Sequence, residues 1–189
     1  MNSLAMTDAL LCAVSAWGAS RASLQPALRL ACGLLAVASF LGVLRFSGVY
    51  PLPSLHSFFS MLGAISALPL LAIAVVNPAS QVASTVRFAW IFFVASSAVG
   101  VLCVSLGGMR WVSDAAALMA VLSMLTSSLF KRQMQGIFIG LILLSGLLAM
   151  AFKWQITGFL QAADFLHLGL AVGVLWTMRF SFLSTRSNT

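Results

Sequence analysis

Residues 131–154 read KRQMQGIFIGLILLSGLLAMAFKW. Within this stretch, basic residues flank an apolar run from Gly136 to Phe152 that holds no charged side chain. An α-helix rises about 1.5 Å per residue, so a run of this length is long enough to cross a hydrocarbon core about 30 Å thick. The stretch therefore predicts a membrane-spanning helix whose charged ends lie at the two lipid–water boundaries.

Six further apolar runs of similar length repeat the pattern. They cover approximately Leu4–Ser20, Ala27–Leu44, Leu55–Val76, Phe88–Ser105, Val112–Phe130 and Phe159–Phe180. The Asn77-Pro78 pair is typical of a helix end, and Pro69 predicts a kink inside the third run. Because a backbone in lipid must satisfy its own hydrogen bonds, the runs are predicted to be helices.

The composition agrees with a chain embedded in lipid. Of 189 residues, 61% are hydrophobic and 7% are charged, whereas a soluble domain carries roughly 25% charged residues. These values exclude a disordered chain, a coiled coil and a disulfide scaffold. We therefore predict an all-α fold, a polytopic membrane protein built as a bundle of about seven transmembrane helices. Residues 1–180 form its single domain, and residues 181–189 form a short cytoplasmic tail.

The basic residues indicate an orientation. The net charge is +7, but the basic residues are scattered and form no stripe that would bind nucleic acid. In a seven-helix chain, the side of the N-terminus carries Arg45, Arg110 and Lys153. The opposite side carries Arg21, Arg29, Arg87, Lys131, Arg132, Arg179 and Arg186. Since basic loops stay in the cytoplasm, this predicts an outside N-terminus and a cytoplasmic C-terminus in a cell membrane, of the bacterial inner-membrane kind.

The aspartates and histidines gather at one end of the predicted bundle. All five lie near the outer ends of helices 1, 3, 5 and 7: Asp8, His56, Asp114, Asp164 and His167. The inner two thirds of the bilayer would hold neither an acid nor a histidine, which argues against a transmembrane proton or ion path. One interpretation is structural, because acids are favoured at helix N-termini, and Thr7-Asp8 and Ser113-Asp114 are typical of helix starts.

Asp164 and His167 are the main candidates for a functional site. They lie three residues apart on the seventh helix and share a face, which Gln161 extends. If that helix begins at Phe159, His167 lies about 12 Å from its start, where an ionisable group needs a polar partner. We therefore predict an Asp164–His167 pair within a ligand site that also includes Gln161 and His56. The alternative is a self-satisfied pair that only locks helix packing.

The same side chains also suit a transition metal such as zinc. Two histidines and up to three aspartates from separate helices make a usable ligand set: His56, His167, Asp164, Asp114 and Asp8. The spacings HExxH, HxxxH and CxxC do not occur in the sequence. The metal hypothesis therefore rests on residue types alone.

Three classes of function follow. The first is a membrane protein that binds a lipid, a quinone or another apolar ligand in an outward-facing site. The second is a metal-dependent membrane hydrolase that acts on a lipid at the outer leaflet, using metal-bound water and an aspartate as general base. The third is a structural or accessory subunit of a larger membrane complex. In this case the chain would pack against other membrane subunits, or against a second copy of itself, through the small-residue faces Gly136xxxGly140 and Gly169xxxGly173. No catalytic residue is assigned.

Overall fold

A computed structural model describes residues 2–50, 52–78, 85–109, 111–154 and 160–186 of the chain. In these residues the chain forms seven helices and no strand. The helices are α1 Ser3–Ser20, α2 Pro26–Phe46, α3 Pro53–Val76, α4 Val86–Ser105, α5 Trp111–Phe130, α6 Met134–Ala151 and α7 Ala162–Arg186.

The predicted fold class is confirmed. Within the described ranges, α2 to α6 are each long and apolar enough to cross a membrane. The other two helices, α1 and α7, carry the buried acids Asp8 and Asp164. The protein is therefore an all-α membrane bundle, and the seven helices of its described residues match the number predicted from the sequence.

Local chemistry sets several helix ends. The Asn2 side chain accepts a hydrogen bond from the Leu4 N–H at 3.3 Å and caps α1. Pro26 occupies the first position of α2, where a missing N–H leaves no hydrogen bond unmade. Asp114 lies in the first turn of α5, as predicted. Asp8 lies more than one turn inside α1, because Asn2 rather than Thr7 begins that helix.

The third helix contains a π turn. Residues Gly63–Ala67 form this wider turn, in which the Leu68 N–H donates to the carbonyl of Gly63. It ends two residues before Pro69, the residue predicted to kink this helix, whose ring nitrogen cannot donate a hydrogen bond. Inside the turn, the Ser66 hydroxyl bonds to two serine hydroxyls of α4 at 2.8 and 2.9 Å. The turn thus brings a polar contact into an otherwise apolar region between α3 and α4.

Six helices form a ring around the apolar core. In order around the ring they are α1, α2, α3, α5, α6 and α7, and α7 closes the ring against α1. The core between them includes side chains that are at most 1% exposed: Leu28, Leu70, Val121, Ile139 and Val174. α4 packs outside the ring, and only 11% of its apolar stretch is buried. Its exposed face is the kind of surface that contacts lipid.

Both GxxxG motifs lie between helices of the same chain. A Cβ on Gly136 would clash with α5, and a Cβ on Gly140 would lie 2.6 Å from Leu125 of α5. A Cβ on Gly169 would lie 3.2 Å from a side-chain carbon of Ile142 on α6. The motifs therefore allow close packing within one bundle. Their use in a homo-oligomer or with a partner stays a prediction.

Candidate functional site: a polar cavity at one end of the bundle

A cavity of about 400 Å³ lies at the end of the bundle where α1, α3, α5 and α7 begin and α2 and α6 end. Five helices supply its polar lining, which includes Asp8, Ser39, Arg45, His56, Asp114 and His167. Leucines form much of its apolar wall, including Leu35 and Leu170. We call it the polar cavity. Its volume falls within the range of small-molecule sites, roughly 300–1,000 Å³.

Asp8 and His167 approach each other across this site. Asp8 on α1 is 1% exposed, and its Oδ1 lies 3.2 Å from Nδ1 of His167 on α7. The two atoms are close but are not aligned for a hydrogen bond, so Nδ1 has no hydrogen-bond partner in the described part of the chain. The other Asp8 oxygen, Oδ2, is buried and lacks one as well. Because unpaired buried polar atoms cost free energy, both residues have unused hydrogen-bonding capacity.

A glycine makes room for the Asp8 side chain. Gly42 on α2 faces the carboxyl group, and a Cβ on it would lie 2.6 Å from Asp8 Cγ. A larger residue at position 42 would therefore collide with the carboxyl group or push α1 and α2 apart. The missing side chain permits a carboxyl group to be buried between two helices.

Asp164 does not pair with His167, which was the partner predicted for it. Its fully buried carboxylate accepts hydrogen bonds from Ser3 Oγ at 2.9 Å and Thr7 Oγ1 at 2.7 Å, both on α1. It also accepts one from the main-chain N–H of Gln161 at 2.7 Å, the contact by which an acid in a first turn caps its own helix. Asp164 and His167 thus each contact α1 separately. Asp164 joins the starts of α1 and α7 and is not part of the cavity lining.

The start of α7 also differs from the prediction. The helix begins at Ala162, and Phe159, the predicted first residue, lies outside the described residues. Gln161 precedes the helix and is exposed, so its side chain does not extend the face of Asp164. Its contact with Asp164 is made by the main chain. His167 consequently lies about 8 Å from the helix start instead of about 12 Å.

Arg45 orients His56 beside the polar cavity. Arg45 Nη1 lies 3.1 Å from Nδ1 of His56. A guanidinium group only donates, so Nδ1 accepts, and the proton of the neutral ring lies on Nε2, which faces Ser60 Oγ at 3.5 Å. Phe46 packs edge-on against the imidazole, with 5.5 Å between ring centroids. Arg45 was predicted only as an orientation signal. The short connection between α2 and α3 is the signal that could have placed it beside His56.

Asp114 and Ser39 also belong to the polar lining. Asp114 is exposed in the first turn of α5, as a helix-start acid is expected to be. Ser39 on α2 is 3% exposed and was not predicted as a site residue. A serine within an apolar run is common in membrane helices, so nothing in the sequence distinguishes Ser39 from the others.

Four of the five predicted metal ligands line the polar cavity, but they do not come together as a metal site. Among the residues that the structure describes, no group of three or more His, Cys, Asp or Glu side chains could hold a metal ion. The hydrogen bonds of Asp164 explain part of this result, because both of its oxygens already accept from α1. His56 Nδ1 faces the positive charge of Arg45, which would repel a cation.

Comparisons with protein-family models, curated proteins and solved structures find no match to this chain. The chemistry of the site is therefore inferred from its own groups. The polar cavity combines the buried Asp8 carboxyl, the His167 imidazole and the Arg45 guanidinium with a leucine wall. Such an arrangement suits a molecule with a small polar group and an apolar body.

Proposed function

We propose that this small integral membrane protein binds a lipid, a quinone or another apolar ligand in the polar cavity. The observation that carries the proposal is the buried and unpaired Oδ2 of Asp8, a residue that lines the polar cavity. Asp8 and His167 bind the polar group of the ligand, and the leucines contact its apolar body. In the predicted orientation, the cavity faces the outer leaflet.

The unpaired atoms favour a ligand that carries a hydroxyl group. A hydroxyl both donates and accepts, so it can serve the Asp8 oxygen and the His167 nitrogen together. Its binding would remove the cost of an unpaired buried polar atom, about 1–3 kcal/mol. Arg45 supplies donors for a second oxygen of the ligand. A quinol and a lipid with a free hydroxyl both meet these requirements.

The location of the cavity supports a ligand that arrives from the lipid. The site lies at the helix ends, where the surroundings change from hydrocarbon to headgroups. Its lining contains the aliphatic side chains of α1, α2, α3, α6 and α7 beside the polar groups. An amphipathic molecule at the same depth therefore meets matching groups without leaving the membrane.

Solvent extraction and mass spectrometry of the detergent-purified protein test this proposal. We expect wild type to retain an apolar molecule in near-stoichiometric amount and Asp8→Asn to lose most of it, because the substitution keeps the size of the side chain but replaces the carboxyl group. Thr126→Val is the control, since it removes a polar group without changing the size of the side chain, at an exposed position outside the cavity. Wild type without a bound molecule, or equal retention by folded Asp8→Asn, would contradict the proposal.

The metal-dependent hydrolase has a separate test. Elemental analysis of wild type beside His167→Ala measures whether a transition metal accompanies the protein. About one equivalent in wild type, lost in the variant, would favour the hydrolase over the ligand-binding protein. The proposal of a metal-free ligand site predicts no difference between the two.

A further inference from the structure

A second cavity, of about 570 Å³, lies at the opposite end of the bundle from the polar cavity. The end of α1 and the turn after it line one side, and α7 lines the other. The residues that define it are Trp17, Arg21, Leu24, Trp176, Met178 and Arg179. Arg21 follows Asp8 by thirteen residues, which corresponds to about 20 Å along α1. The two cavities are therefore separate sites near the two ends of the bundle.

Two guanidinium groups contribute positive charge to this second cavity. Arg21 packs over the ring of Trp17, with its guanidinium carbon 4.3 Å from the ring centroid. In the part of the chain that the structure describes, neither arginine has a carboxylate within 4 Å. All three aspartates belong to the opposite end of the bundle. An anion from outside the protein would therefore meet no acidic side chain there.

We infer that this second cavity binds the phosphate-containing headgroup of an anionic phospholipid. Guanidinium groups match the oxygens of a phosphate and bind it in a fork-like geometry. Tryptophan is suited to the headgroup layer, because it has an apolar ring and a polar N–H. Leu24 and Met178 provide an apolar surface for the first part of the acyl chains. Basic pockets between membrane helices commonly bind such headgroups.

The apolar lining favours a lipid over a soluble anion. Trp17 is 47% exposed, and the exposed surface lies at the end of a helix in a membrane bundle, where acyl chains and headgroups meet. Inorganic phosphate would use the two arginines but not the apolar surface. The proposed occupant is therefore a diacyl lipid with net negative charge, such as phosphatidylglycerol.

Native mass spectrometry of lipid binding tests this inference. The detergent-purified full chain is titrated with phosphatidylglycerol, with phosphatidylcholine of the same acyl chains, and with inorganic phosphate. We expect phosphatidylglycerol to bind in preference to the other two. The double variant Arg21→Gln/Arg179→Gln should bind it about thirtyfold more weakly, because each basic residue near an anionic lipid surface contributes about a fivefold factor.

A matched variant separates the site from general charge attraction. Arg87→Gln/Arg132→Gln removes the same charge from the same end of the bundle, at exposed residues outside the cavity. It should bind phosphatidylglycerol like wild type. Equal losses in the two double variants would overturn the inference, as would equal binding of the two lipids or full competition by inorganic phosphate. If the first variant does not fold, the preference of wild type among the three probes decides the question.

Discussion

The two ends of the bundle hold their charged groups in different ways. At the polar end, the acids Asp8 and Asp164 are buried among α1, α2 and α7. At the opposite end, which we call the basic end, cations contact backbone carbonyls at the ends of helices. Arg29 Nε donates to the Ala19 carbonyl at 3.3 Å, and Lys131 Nζ donates to the Val76 carbonyl at 3.0 Å.

This difference shows that the burial of a charged group, more than its charge, distinguishes an internal site from the membrane-facing surface. A buried acid needs specific donors, because its surroundings screen poorly. An exposed cation beside helix-end carbonyls stays hydrated and gains only a modest dipole contribution. The polar end therefore has the character of a specific internal site, whereas the basic end presents its charge to the membrane surface. Four predictions test this comparison, beginning with the largest expected effect.

Asp164→Ala should destabilise the protein most. The substitution removes the acceptor of hydrogen bonds from Ser3, Thr7 and Gln161, so the free energy of unfolding should fall by about 4 kcal/mol. Unfolding in mixed detergent, followed by circular dichroism, measures the change. The control Asp114→Ala removes an exposed acid and should change the stability by less than about 0.5 kcal/mol. Similar losses in both variants would show that burial does not distinguish the acids.

Gly42→Ala should also weaken the polar end. Its Cβ would lie 2.6 Å from Asp8 Cγ, so the free energy of unfolding should fall by about 2 kcal/mol, and the cavity ligand should be lost. Gly33→Ala is the matched control on the same helix. A Cβ there meets nothing within 4 Å and should stabilise the helix by about 0.5–1 kcal/mol. A neutral Gly42→Ala would mean that Asp8 does not depend on this close approach.

Lys131→Met should have a smaller effect at the basic end. It removes hydrogen bonds to the Val76 carbonyl and to Asn77 Oδ1, but its charge is exposed, so we expect a loss of about 1 kcal/mol. Arg87→Met, at an exposed residue of the same end, should be close to neutral. The same unfolding assay applies. A loss as large as that of Asp164→Ala would contradict the proposed difference between the two ends.

The smallest effect concerns the proton on His56. Nitrogen NMR of the imidazole should show the Nε2–H tautomer in wild type, because Arg45 donates to Nδ1. In Arg45→Met the donor is gone, so both tautomers should be populated, with a stability loss of about 0.5 kcal/mol. An Nδ1–H ring in wild type would show that Arg45 does not hold this side chain.

Helix number and class were predictable because apolar runs and breakers are local in the sequence. Gly136–Phe152 corresponds closely to α6, Met134–Ala151, and Asn77-Pro78 follows the end of α3. The gathering of the acids at one end of the bundle was also predictable, because successive helices alternate in direction. These features need no knowledge of which helices are neighbours.

The pairing of Asp164 was not predictable by the same reasoning. Spacing places Asp164 and His167 on one face of α7, but it does not identify α1 as the helix against that face. Ser3, Thr7 and Asp8 on α1 then supply separate contacts for the two residues. Which residues contact Asp164 and His167 thus depends on the order of the helices around the ring. That order cannot be read from a single sequence.

The π turn of α3 also determines which way the first residues of that helix face. One residue advances an α-helix by about 100°, so the wider turn at Gly63–Ala67 rotates the residues before it relative to those after it. His56 precedes the turn and lines the polar cavity, while Leu70 follows it and lies in the core. Deleting one residue from the turn would swing His56 around the helix axis by about 100° and away from Arg45. A single residue of chain length thereby sets the angle at which His56 meets Arg45.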